Sequence, residues 1–223
     1  MTWSDALFSQ DVILEKVLLF FILVISISIH EWAHAFCADK LGDPLPRKEG
    51  RVTLDPMVHI DLLGTIIIPL IVIFLSPGFA ILGWGKPVRV SLPNHKTRSR
   101  DDILITLAGP FSNFCLAFFA ILGFGVLAQF LHLSDSLLHL LSIIVNLNCL
   151  LFLFNLLPIP PLDGSHLLKR AVGMSDSTFI KFSRYGFFLL LVLINVEAFT
   201  TFFYQTLTLL TAQFFGFFAF ILG

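Results

Sequence analysis

The sequence predicts an all-α polytopic membrane protein of about five to six transmembrane helices, with two strand-like pieces that suit a membrane-re-entrant β element. Three observations carry this expectation. Hydrophobic residues make up 57% of the 223-residue chain and charged residues only 13%, and the mean hydropathy is +0.90, far outside the balance of a soluble domain. Apolar runs at 12–29, 62–84, 103–131, 137–157 and 186–222 each approach or exceed the length needed to cross hydrocarbon, about 20 residues of helix, and the last can hold two helices. Polar residues gather at 39–61, 86–102 and 161–184, and nothing between them has the composition of a separate soluble domain. The reading is one domain over 1–223, with a core at about 12–170 and C-terminal helices at about 180–222.

Taken in order, Met1 to Lys16 carries Asp5, Asp11 and Glu15 against a single Lys16. That is the wrong charge pattern for a cleavable signal peptide, so the first helix is expected to stay. The run 62–84 contains Pro69 and the breaker Ser76-Pro77-Gly78, which suit a segment that dips in and returns, although its length equally permits an ordinary span. Arg51-Val52-Thr53-Leu54 and Lys86-Pro87-Val88-Arg89-Val90 read as short extended pieces. Basic residues fall in all three polar loops, whereas the 132–136 turn has none. The positive-inside rule then places these loops on the cytoplasmic side, provided 62–84 does not simply cross. The Phe-rich tail around Phe214 and Phe220 suits lipid contact. A net charge of −1 with dispersed basic residues implies no nucleic-acid partner. Cys37, Cys115 and Cys149 lack CxxC spacing and read as small buried hydrophobes.

The chemistry concentrates in Ser28-Ile29-His30-Glu31-Trp32-Ala33-His34. Two imidazoles four residues apart share one helical face and can hold a single zinc ion, with Glu31 beside them to take a proton from metal-activated water. Polar groups at the end of an apolar helix are expensive in lipid, about 2–3 kcal/mol for a charge at the bilayer centre, and a metal is the natural partner. A catalytic zinc takes three protein ligands, and the best third candidate is Asp163. It follows three prolines in Asn155-Leu156-Leu157-Pro158-Ile159-Pro160-Pro161-Leu162-Asp163-Gly164, a broken helix end that is tolerable at depth only around a cavity. Taken alone, Asp163 reads equally as the cap of a following helix. His59 and His166 are reserve ligands, and Glu197 is an isolated acid that reads either as cavity-facing or as a helix end in water.

The pairing of HExxH with a later NxxPxxPxxDG-like segment resembles the site-2 protease family of intramembrane metalloproteases. The second proline pair is shifted here into Pro160-Pro161. Gly50 to Pro56, His59-Ile60-Asp61, Gly83 to Val88 and Ala108 to Asn113 extend the resemblance, over about 20–170, to the compact bacterial branch. No PDZ or CBS regulatory domain is expected. The resemblance implies one zinc per chain held by His30, His34 and Asp163, Glu31 as general base, and Asn155 near the scissile carbonyl. It also implies a transmembrane protein or peptide substrate, and a multi-pass protein of the bacterial cell membrane with its site towards the cytoplasm. Gly109, Pro110 and Asn113 read instead as residues of close helix packing. A metal transporter or scaffold with the same three ligands is the rival, and Glu31 discriminates, because a transporter needs no base. A bis-histidine haem is ill served by two histidines on one helix.

Overall fold

The computed structural model describes residues 10–75 and 83–223, and it is helical throughout, with no strand among the described residues. The amino-terminal acids Asp5 and the breaker Ser76-Pro77-Gly78 lie outside the described residues. Helix α1 spans Gln10–Lys40 and is followed by the single turn α2, Leu45–Lys48. Next come a 3-10 turn at Pro56–Val58 and helix α3, which opens as a wide π turn at Leu62–Ile67 and continues as α-helix over Ile68–Leu75. Then follow α4 (Arg98–Ala128), α5 (Asp135–Asn155), α6 (Gly164–Ala171), α7 (Asp176–Leu193) and α8 (Glu197–Leu222).

Among the described residues, four helices are long and apolar enough to cross a membrane: α1, α4, α5 and α8. The chain is an all-α integral membrane protein. Two runs that sequence length alone admits as further spans behave differently. Helix α3 is about 21 Å long at 1.5 Å per residue, short of a hydrocarbon core of about 30 Å. The chain after it also comes back to its foot. The Trp84 amide donates to the Gly64 carbonyl (3.1 Å), the Thr65 hydroxyl to the Trp84 carbonyl (2.7 Å) and the Lys86 amide to the His59 carbonyl (2.8 Å). Hydrogen bonds therefore join the two described ends of the 62–84 run. Helix α7 carries Asp176, Lys181 and Arg184 in its first half. Along its length it stays with the residues that follow α5: Phe179 meets His166, Gly186 lies on Pro160, and Leu190 packs with Ile159 and Leu162. Among the described residues, α3 is shorter and α7 more charged than the four candidate spans.

The expected strands are also not formed. Residues 51–54 make a bend, and 83–92 form no regular secondary structure, with Leu92 at φ 47°. Side chains do the holding instead. The buried Asp43 carboxylate accepts from the Ser91 amide (2.5 Å), the Ser91 hydroxyl (2.6 Å), the Leu92 amide (3.0 Å) and the Leu45 amide (3.0 Å). Burial works to raise the Asp43 pKa, but these donors outweigh it and hold the carboxyl below its ordinary value.

Helices α1, α4 and α5 form the centre. Contacts between the C-terminal part of α1 and the N-terminal part of α4 set those two antiparallel, while α5 runs parallel to α1. Ser134 caps α5 through the Leu137 amide, and the turn before it lets α4 and α5 form a tight pair. One apolar cluster joins α4, α5 and α8 through Ala117, Ile121, Val145, Phe214 and Phe218. A second joins α1, α3 and α5 through Leu23, Ile27, Ile73, Leu147 and Leu151. Since lipid tails are as apolar as these side chains, the gain is close packing rather than water exclusion. The outcome is that the C-terminal ends of α1 and α5 and the N-terminal third of α4 meet at one depth.

Candidate metal centre

His30 and His34 lie one turn apart on α1, with ring centroids 4.7 Å apart. Each ring is oriented by its Nδ1. His30 Nδ1 lies 2.7 Å from Asn113 Oδ1, and His34 Nδ1 lies 2.6 Å from the Ile105 carbonyl oxygen. Both acceptors come from α4, near Pro110, which has no N–H to give and leaves the Thr106 carbonyl without its usual helical donor. With both Nδ1 atoms donating, both Nε2 lone pairs point the same way.

They point at Asp163. His30 Nε2 is 3.0 Å and His34 Nε2 3.3 Å from Asp163 Oδ2, and the two Nε2 atoms are 3.1 Å apart. Donors about 2.05 Å from a tetrahedral zinc stand about 3.3 Å from one another, so this triangle has the size of one face of a zinc coordination shell. Among the described residues these three form the cluster able to hold a metal ion. Asp163 occupies the residue before α6, yet its side chain makes no capping bond there, which removes the reading of Asp163 as a helix cap.

Two glycines make room for this arrangement. A Cβ on Gly109 of α4 would stand 2.6 Å from His30 Nε2 and closer still to His34 Nε2. A Cβ on Gly85 would stand 2.6 Å from Glu31 Cγ and 2.8 Å from Glu31 Oε1. The Glu31 carboxylate is thereby held between α1 and the 83–92 segment. On its other side is Arg51, buried, with Nη2 3.8 Å from Glu31 Oε2. The same guanidinium donates to the carbonyls of Val58 and Lys86, at the two feet of the α3 excursion.

His30, Glu31, His34, Gly85, Asn113 and Asp163 line a cavity of about 460 Å³. Asn155 and His166 reach its wall but not the three-donor cluster, as does the Trp84–Val90 stretch. The Asn155 amide donates to the Leu151 carbonyl (3.0 Å) of its own helix, leaving its second N–H available. His59 is fully buried elsewhere, with Nε2 2.8 Å from the Thr53 carbonyl oxygen and Nδ1 without a partner. Glu197 is exposed in the first turn of α8. The three cysteines are free and belong to no cluster of metal-ligating groups among the described residues.

Sequence reasoning missed Arg51, Asn148 and the glycine contacts, and it took Asn113 for a packing residue. One signal was available: asparagines inside two apolar runs, Asn113 in one and Asn146, Asn148 and Asn155 in the other, a residue type that in a membrane helix calls for a partner.

The fold and the site define a membrane-embedded protein with a metal-ligand cluster and an adjacent carboxylate opening into a cavity. Comparison with known proteins is consistent with this. Residues 128–194 match the model of "Peptidase family M50". The chain is 39% identical over 180 residues to "Putative zinc metalloprotease YwhC" of Bacillus subtilis, covering 77% of each chain. It is 28% identical over 193 residues to Rip2 of Mycolicibacterium smegmatis, named in the same terms, covering 83% of this chain and 71% of that protein. No solved structure matches. This chain belongs to peptidase family M50, the site-2 protease family, and is a zinc metalloprotease.

Proposed function

We propose that the protein hydrolyses peptide bonds in or near the transmembrane segments of membrane-protein substrates, with His30, His34 and Asp163 holding one zinc ion and Glu31 acting as general base. The observation that carries this reading is the triangle of 3.0, 3.1 and 3.3 Å between the three donor atoms, with Glu31 opening into the same cavity. Zinc, when bound, polarises the scissile carbonyl and makes water acidic enough to attack near neutral pH. The remaining work belongs to the chain. Glu31 takes the proton of the attacking water and returns it to the departing amine nitrogen. Gly85 and Arg51 keep its carboxylate aimed into the cavity. The free N–H of Asn155 donates to the carbonyl oxygen as negative charge develops there, a contribution of about 3 kcal/mol for such donors.

A substrate helix has its carbonyls engaged, so the cleaved bond must first be drawn into an extended form. Pro87, Val88 and Val90 line the cavity and their segment has no ladder partner, which suits it to receive such a strand along its backbone. All three basic loops lie at the cavity's end of the bundle. The positive-inside rule then supports a site towards the cytoplasm of a bacterial cell membrane, with α3 as a re-entrant element and 1–223 as one catalytic domain.

The test is zinc content and cleavage of a model transmembrane substrate by detergent-purified protein. Glu31→Gln should keep one zinc per chain and lose at least about 100-fold in cleavage, whereas Asp163→Ala should lose both. Bound zinc with no cleavage of any helix-destabilised substrate would instead indicate a binding or transport role.

A further inference from the structure

The two histidines are oriented in different ways. His34 relies on a backbone carbonyl, that of Ile105, which no substitution removes. His30 relies on a side chain, and behind that side chain stands another. Asn113 Oδ1 accepts from His30 Nδ1 (2.7 Å), Asn113 Nδ2 donates to Asn148 Oδ1 (3.1 Å) and to the Ser26 carbonyl (3.3 Å), and Asn148 Nδ2 donates to the Ile144 carbonyl (2.9 Å).

The direction of this chain is fixed from its far end and, at Asn113, also by the Ser26 carbonyl, which can only accept. The Ile144 carbonyl can only accept, so the Asn148 amide nitrogen must face it and the Asn148 oxygen must face Asn113. The amide nitrogen of Asn113 is thereby turned to Asn148, and its oxygen to His30. An oxygen there obliges His30 to carry its proton on Nδ1, which leaves the Nε2 lone pair free towards Asp163. Asn113 is 0% and Asn148 1% exposed, so water cannot substitute for either.

We infer that Asn148, through Asn113, sets the zinc affinity of the site by fixing the tautomer and ring orientation of His30. This rests on the zinc centre proposed above. Asn148 is a positioning residue on α5, one side chain removed from the ligand, and the relay ties α5, α4 and α1 to the metal. Replacing such a group behind a metal-bound histidine typically lowers metal affinity about 10- to 100-fold.

The experiment measures zinc affinity by competition with a chromophoric chelator, together with the visible spectrum of the cobalt(II)-substituted full-length protein in detergent. Asn113→Leu should weaken zinc binding about 10- to 100-fold, and Asn148→Leu should weaken it by a smaller factor in the same direction. The double variant should bind no more weakly than Asn113→Leu alone, because both act through one hydrogen bond. Asn113→Asp keeps an oxygen facing His30 but gives up the N–H to Asn148, so it should retain the tetrahedral cobalt bands and be insensitive to the further change Asn148→Leu. Asn146→Leu, exposed on the same helix, is the control and should match wild type. If Asn113→Leu does not fold, Asn148→Leu and Asn113→Asp still decide the matter. Wild-type affinity in Asn148→Leu, or fold losses that multiply in the double variant, would overturn the relay. A wild-type protein that binds no zinc would instead overturn the metal centre itself.

Discussion

Gly109→Ala is the sharpest single test of the geometry, because the methyl group would be built against the ligand nitrogens. Its carbon would stand 2.6 Å from His30 Nε2 and nearer still to His34 Nε2. Non-bonded atoms of this kind settle at about 3.5 Å, so the imidazoles must retreat by about 1 Å or α4 must part from α1 by as much. A metal site tolerates displacements of about 0.2 Å, so neither adjustment keeps both histidines on one ion. Zinc affinity should fall by more than about 100-fold, beyond what loss of a supporting hydrogen bond produces. The assay is chelator competition on purified protein, with Gly123→Ala as the companion. That glycine lies in the same helix with no atom within 4 Å of the added carbon, so the change should leave zinc untouched and favour the helix by about 0.5–1 kcal/mol. A Gly109→Ala protein holding one zinc per chain at wild-type affinity would refute the packing argument.

Three further outcomes are expected. Arg51→Ala should lower kcat at least tenfold (about 1.4 kcal/mol) with zinc content unchanged, and added guanidinium ion should restore part of it; loss of zinc would show that Arg51 holds the ligands rather than Glu31. Asp43→Ala strips the 83–92 segment of its acceptor for the Ser91 and Leu92 amides. It should cost about 1–3 kcal/mol and open new tryptic cleavage at Arg89, and an unchanged digestion pattern would count against Asp43 as the clamp. His59 is buried, and burial pushes its pKa below the ordinary 6.5. Below pH 6.5 the unfolded chain binds a proton that the folded one refuses. The stability it contributes is therefore complete above pH 6.5 and lost as pH falls from 6.5 towards the depressed folded value. Thermal denaturation between pH 5 and 8 should show this decline in the wild type and a flatter profile in His59→Gln.

The ligand set was legible because each part carries its own local signal. HExxH puts two imidazoles on one face by helical spacing alone, and the prolines before Asp163 announce a broken helix end whatever surrounds it. The number of crossings was not legible, because hydropathy measures whether a segment prefers lipid and not whether it reaches the other side. The 62–84 run is apolar enough for a span, and what joins its two ends is a set of bonds between residues twenty and twenty-seven apart, Trp84 to Gly64 and Lys86 to His59. Helix α7 is likewise placed by Gly186 against Pro160, a contact no periodicity encodes. The strands failed for a related reason. Alternation predicts that a backbone will be extended, but pairing needs a neighbour, and here the neighbours are the side chains of Asp43 and Arg51.

The supporting polar network was hidden for a deeper reason. Asn113 and Asn148 are each buried in an apolar run, where an asparagine without a partner is a liability. A hydrogen bond between membrane helices contributes about 0.6–2 kcal/mol, while an unpaired buried amide costs about 1–3 kcal/mol, so neither residue is tolerable unless the other stands at the same depth. The alignment that satisfies them is the one that brings His30 under Asn113 and Asp163 over both imidazoles. A slip of α4 by one turn, about 5.4 Å, would orphan both asparagines and the Nδ1 of each histidine together. The asparagines therefore specify the register of three helices as well as the orientation of a ligand. Loss of Asn148 should consequently broaden the cobalt spectrum as well as weaken binding, because the helices that present the ligands lose the contact that fixes their relative height.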